Sequence, residues 1–170
     1  MKKRISAFIL LLAFLLIFCS CEKETRTCEE LLLAGLEYGI DSYSNNGYIF
    51  LKNADEESAF FMSEDVKTIM YGKRFKDALN ETCDFAIYIS AKVPYEIAVF
   101  ECYSSNDADE ILQMCYERAD EIKVGLRYSE WENATKAIEA VIYRKYVIFA
   151  FADSQTRNSG IIEEIKGLLD

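Results

Sequence analysis

The chain has 170 residues, 29 acidic against 19 basic side chains, and no histidine. The missing imidazole excludes Ser-His-Asp and Cys-His catalysis, the usual catalytic zinc sites, and the one side chain that titrates unperturbed near neutral pH. Three of the basic residues and none of the acidic ones precede Cys21, so the remainder carries 16 basic and 29 acidic groups, a net charge of −13. That balance argues against nucleic acid as a partner.

Met1-Lys2-Lys3-Arg4 is a basic start, and Ile5 to Phe18 is apolar apart from Ser6, the pattern of an export signal. It is short for a bilayer span, which needs about 20 apolar residues. Phe18-Cys19-Ser20-Cys21 places small residues at the two positions before Cys21, whereas Cys19 follows bulky Phe18. The expected layout is a lipoprotein signal over 1–20, lipidation at Cys21, a charged tether over 21–26 and a single domain over 27–170. Lys2, Lys3 and Arg4 stay on the cytoplasmic side, so the domain is expected at the outer face of the cytoplasmic membrane, attached through its N-terminal lipid.

Thr27-Cys28-Glu29-Glu30 fits a capping box ahead of Leu31, Leu32 and Leu36, predicting a helix that stops at Gly39. Tyr48 to Leu51 follows the turn signal Asn45-Asn46-Gly47 but is too short to assign. Ser63-Glu64-Asp65 opens a second helix, with Val66, Ile69 and Met70 at helical spacing before Gly72. Alternation over 85–90 and 95–103 predicts two strands, with Pro94 leading into the second.

From Asp107 the period changes: Ala108, Ile111, Leu112, Cys115, Ala119, Ile122 and Leu126 define a long amphipathic helix capped by Asn106 or Asp107. Residues 138–143 and 146–152 read as a hairpin across Arg144-Lys145, with a turn expected to exceed two residues because neither side chain favours positive φ. Ser159 is the expected cap of a closing helix through Leu169. The order predicts an α+β fold: an antiparallel sheet of about four strands in two hairpins, a long amphipathic helix between them, and helices packed on one face.

The signal, the Tyr71-Gly72 step, Glu96-Ile97-Ala98-Val99-Phe100, an acidic-capped helix bearing Arg118, and Tyr146-Val147-Ile148-Phe149-Ala150 with Asp153 together resemble a family of small Gram-positive bacterial lipoproteins carrying a C-terminal domain of unknown function. The resemblance covers roughly residues 64–170. It departs at Lys73-Arg74 and at Arg144-Lys145. What it implies is location and fold, with no activity attached.

Glu96 on a strand and Arg118 on the next helix are candidates for a polar ligand site or a structural ion pair. Asp107, Asp109 and Glu110 crowd a helix start, where the helix dipole accounts for them, and no calcium-loop pattern surrounds them. No metal or other cofactor is indicated. Cys28, Cys83, Cys102 and Cys115 lack Cys-x-x-Cys spacing; Cys102 with Cys115 is the candidate disulfide, set against four buried thiols. Two functions remain. One is a non-catalytic binding or interaction module of the cell envelope, with an envelope protein as partner. The other is an envelope enzyme using carboxylates or a cysteine.

Overall fold

The computed structural model describes residues 26–170; the signal, Cys21 and most of the tether lie outside the described residues. Helix α1, Cys28–Gly39, opens on the capping box: Thr27 N donates to Glu30 Oε2 at 2.9 Å and Glu30 N donates to Thr27 Oγ1 at 3.2 Å. Strand β1, Gly47–Leu51, follows a short 3₁₀ turn, then α2 spans Glu64–Glu81, β2 Cys83–Ser90 and β3 Glu96–Cys102. Helix α3 runs Ser105–Gly125, β4 Glu139–Tyr143, β5 Tyr146–Phe151 and α4 Gln155–Leu169.

The five strands form one antiparallel sheet in the order β1-β2-β3-β5-β4. The fold is therefore α+β with an antiparallel sheet and a long helix between two hairpins, as the sequence predicts. Two features differ. Tyr48 to Leu51 supplies a fifth strand, paired with Ala86 to Ile89 of β2. And helices cover both faces of the sheet rather than one.

The second difference has a direct cause. Phe85, Ile87, Ala98, Phe100, Val147, Phe149 and Phe151 pack under α2 and α3, while Ala86, Tyr88, Ile97, Val99, Ile148 and Ala150 pack under α1 and α4. Both parities of the central strands are apolar, so one helical layer would leave half of them in water, and every residue of β5 is buried. A sequence reading that assigns one parity to solvent misses the second layer. The α1–α4 contact is close because Gly35 has no side chain: a Cβ there would stand 2.9 Å from Ile165 Cδ1.

Helix boundaries also move. The cap of α3 is Ser104, which accepts from Asp107 N, and that of α4 is Ser154, which accepts from Arg157 N; Ser159 lies within α4. On α4, Asn158 is fully buried, donates to Ala137 O at 2.6 Å and accepts from Ala152 N at 2.7 Å. Its amide needs these backbone partners, which tie α4 to β5 and to the turn before β4. Tyr143 pairs directly with Tyr146, so the Arg144-Lys145 turn is only two residues long, contrary to expectation. Arg144 adopts φ +56° and is held by donating to Leu169 O and to Asp170 at the chain's C-terminus.

Helix α2 is two helical segments meeting at Gly72, whose φ of +76° and ψ of 158° are closed to a side chain-bearing residue at low cost. Buried Lys67 braces the bend, donating to Glu64 Oε1 at 2.8 Å before it and to Asn80 Oδ1 at 2.6 Å beyond it. Tyr71, immediately before the bend, is thereby directed at the sheet, where its hydroxyl reaches Glu96.

Candidate functional site

Glu96 begins β3 with the same parity as Ala98 and Phe100, so its side chain enters the α2/α3 layer, where it is 2% exposed. A buried carboxylate needs charge and hydrogen bonds in compensation. Arg118, on the buried side of α3, supplies both: Nε donates to Glu96 Oε2 at 3.0 Å and Nη2 donates to the same oxygen at 2.7 Å. The Tyr71 hydroxyl donates to Glu96 Oε1 at 3.2 Å. The sequence pair Glu96 and Arg118 is thus one ion pair. Tyr71 is the member sequence reasoning missed, since only the bend at Gly72 brings it there.

The electrostatics are coherent. Burial, then the neighbouring Glu96 charge, push the Tyr71 hydroxyl well above its ordinary value, so it stays a donor. Burial, the largest single influence, opposes the Arg118 charge, but the attraction and hydrogen bonds of Glu96 together with Tyr71 and Glu121 outweigh it and raise the guanidinium above its ordinary value.

Above this pair lies a cleft of about 310 Å³ lined by Ile89, Pro94, Tyr95, Ile122 and Leu126, with Glu96, Arg118 and Glu121 in its wall. Glu96 occupies the Nε and Nη2 edge of the guanidinium. Nη1 stands 3.6 Å from Glu121 Oε2, an ion-pair distance without a hydrogen bond, and the Arg118 side chain keeps 21% exposure. Nη1 therefore makes no hydrogen bond among the described residues, and Arg118 and its ion-pair partner Glu121 both line the cleft. Gly125 leaves the opening clear: a Cβ there would meet nothing within 4 Å. Trp131 stacks edge-on against Tyr95, ring centroids 5.6 Å apart, and so reports on this wall.

A second, wider cleft of about 660 Å³ sits at the other end of the sheet, lined among others by Arg26, Lys52, Asp84, Glu101 and Lys145. Asp84 and Glu101 are directly opposed across β2 and β3. Each has a partner: Asn53 Nδ2 donates to Asp84 Oδ1 at 3.3 Å, and Lys145 pairs with Glu101. Of the basic run 73–76, Arg74 pairs with Glu117 at 3.4 Å and Lys76 with Glu64 at 3.6 Å, internal counter-charges both.

The four cysteines after the tether are all buried free thiols. Cys102 and Cys115 are not bonded to each other; the residue directly opposite Cys102 is Cys83. Burial is the leading cause that pushes Cys28 and Cys102 up to about 12, with nearby carboxylates adding to it, and burial also raises Cys83 and Cys115. Thiols so placed are poor nucleophiles. No group of three or more cysteine or acidic side chains suited to a metal ion occurs among the described residues. Comparison with protein-family models, with curated proteins and with solved structures finds no match to this chain.

Proposed function

We propose that this chain is an extracytoplasmic lipoprotein, acylated at Cys21 and held at the outer face of the cytoplasmic membrane, whose domain is a non-catalytic binding module. The small Gram-positive lipoproteins that its motifs resemble belong to the same proposal. In this reading the Arg118 cleft is the binding site. It takes a small uncharged apolar group that carries a hydrogen-bond acceptor, such as a side chain and adjacent carbonyl of an envelope protein's peptide segment.

The observation that carries the binding site is the half-used guanidinium: one edge is locked on Glu96, while Nη1 makes no hydrogen bond among the described residues and Arg118 lines a largely apolar cleft. A volume of about 310 Å³ is at the lower end of ligand pockets, which run from about 300 Å³ upward. Glu96 and Glu121 against Arg118 leave the site one charge negative, so an anion is disfavoured while a neutral carbonyl satisfies the open donors. The tether supports the orientation. Five residues, 22–26, reach at most about 18 Å from Cys21, and α1 begins beside the wide cleft, so that end faces the bilayer and the Arg118 cleft faces away.

The enzyme reading draws on Asp84 and Glu101, two carboxylates opposed in the wide cleft. Their engagement by Asn53 and Lys145, and the burial of every described thiol, favour binding over catalysis. The test is titration with N-acetylated apolar amino-acid amides while Trp131, the only tryptophan, is followed by fluorescence. Saturable change that is lost in Gly125→Phe supports the site; an unchanged response in that variant overturns it. Mass spectrometry of the mature N-terminus checks the anchor independently, expecting a diacylated Cys21.

A further inference from the structure

Cys83 opens β2 and Cys102 closes β3, and the two are Cα partners at the end of the hairpin, both in the α2/α3 layer. Their backbone groups point away from each other. Cys83 O accepts from Lys52 on the β1 side, and Cys102 N donates to Lys145 O at 2.8 Å on the β5 side. The flanking pair is bonded instead: Tyr103 N donates to Thr82 O at 3.0 Å. Cys83 and Cys102 therefore form a non-hydrogen-bonded antiparallel pair, the arrangement in which opposite side chains approach most closely, with Cα atoms about 4.5 Å apart. A disulfide spans Cα separations of about 4.4–6.8 Å.

We infer that Cys83 and Cys102 are a cross-strand disulfide site, closed when the chain folds in the presence of a low-molecular-weight or protein disulfide. The thiolate of one cysteine attacks that disulfide and expels one of its sulfurs as a thiol. The second cysteine, as thiolate, then attacks the mixed disulfide and releases the other. One S–S bond is broken and one formed, two electrons pass to the external disulfide, and the protons of the two cysteines end on the two thiols released. Burial in the finished fold dictates when this happens: both sulfurs must react before the α2 and α3 layer closes over them. Cys115, on α3, joins that layer from above and has no such opposed backbone partner.

This inference is independent of the binding reading and of export, because it is tested in vitro. The full chain, denatured and reduced, is refolded with mixed oxidised and reduced glutathione, quenched with acid, alkylated and mapped by mass spectrometry. The expected product joins the Cys83 and Cys102 peptides, lighter by two hydrogens than the separate pair, with Cys28 and Cys115 alkylated. The same link must form in Cys115→Ser, and it must be absent in Cys83→Ser. Closing the hairpin raises the thermal midpoint of the refolded protein by about 5 °C or more over its reduced form. Alkylation of both Cys83 and Cys102 after oxidative refolding, or a link between Cys102 and Cys115, overturns the inference.

Discussion

The two ends of the sheet are built on opposite solutions to the same problem, which is where to put charge next to a core. At the end where α1 begins, Lys52, Asp84, Glu101 and Lys145 stay at the rim of a wide cleft, and the buried groups beneath are neutral thiols. At the other end a carboxylate and a guanidinium are taken inside, satisfied by each other and by Tyr71, under a narrow apolar cleft. Rim charges are screened and individually worth little, whereas an internal pair is costly to break. The end with the internal pair is thus rigidly specified, as a binding site requires, and the rim end can tolerate change.

The sharpest way to break this contrast is Glu96→Ala. It strands the Arg118 charge and the Tyr71 hydroxyl, and is expected to cost about 3–5 kcal/mol in urea denaturation, the range for one partner removed from a buried pair. The matching change at the other end, Glu101→Ala, removes a rim partner of Lys145 and is expected to cost no more than about 1 kcal/mol. Equal losses would erase the distinction between the ends.

Alkali attacks the thiol end. Cys28 and Cys102 sit at about 12 in the fold, above the ordinary thiol value of 9.0. A group raised on folding contributes stability that is complete below its unfolded value and is lost as pH climbs toward the folded one. Reduced protein is therefore expected to lose stability steadily between about pH 9 and pH 12 in guanidinium titrations. Oxidised protein, in which Cys83 and Cys102 no longer titrate, should show a shallower decline. A stability that stays level across that window would count against buried thiols at this end.

Much of this arrangement was legible in the chain. Thr27 and Glu30 announce α1 because a capping box is local, and the long period of three and four from Ala108 announces α3 because an amphipathic stripe is written in consecutive turns. What was hidden depends on distance. Leu51 pairs with Ala86, far away in sequence, and five residues of β1 carry too little pattern to stand alone. The second helical layer was hidden because alternation over 85–90 and 95–103 assigns one parity to solvent, whereas residues of both parities, such as Ala86 and Ala98, are buried. Glu96 and Arg118 were visible as an isolated charge in an apolar strand and a basic residue on the next helix, but Tyr71 was not, since Gly72 redirects the chain. Cys83 opposite Cys102 is a matter of register, which a sequence does not print.

Three smaller substitutions sharpen the comparison through single hydroxyl and carboxylate groups. Tyr71 and Tyr88 are both buried tyrosines, on opposite faces of the sheet; the Tyr71 hydroxyl has Glu96, whereas that of Tyr88 has no hydrogen-bond partner among the described residues. Tyr71→Phe should cost about 1–2 kcal/mol, because the lost bond was to a charged oxygen, while Tyr88→Phe should be neutral or gain up to about 1 kcal/mol. Smallest of all is Asp84→Asn. Asp84 and Glu101 are like charges directly opposed on one face of β2 and β3. Neutralising one removes a cross-strand repulsion worth a few tenths of a kcal/mol. The hydrogen bond to Asn53 can be kept through the new amide oxygen. A slight stabilisation at low salt that vanishes as ionic strength rises is the expected result, since rim charges are screened over about 10 Å at 0.1 M. A loss of stability that salt does not alter would mean that the Asp84 carboxylate is held by the fold as firmly as Glu96, and the wide cleft would then have to be treated as a built site in its own right.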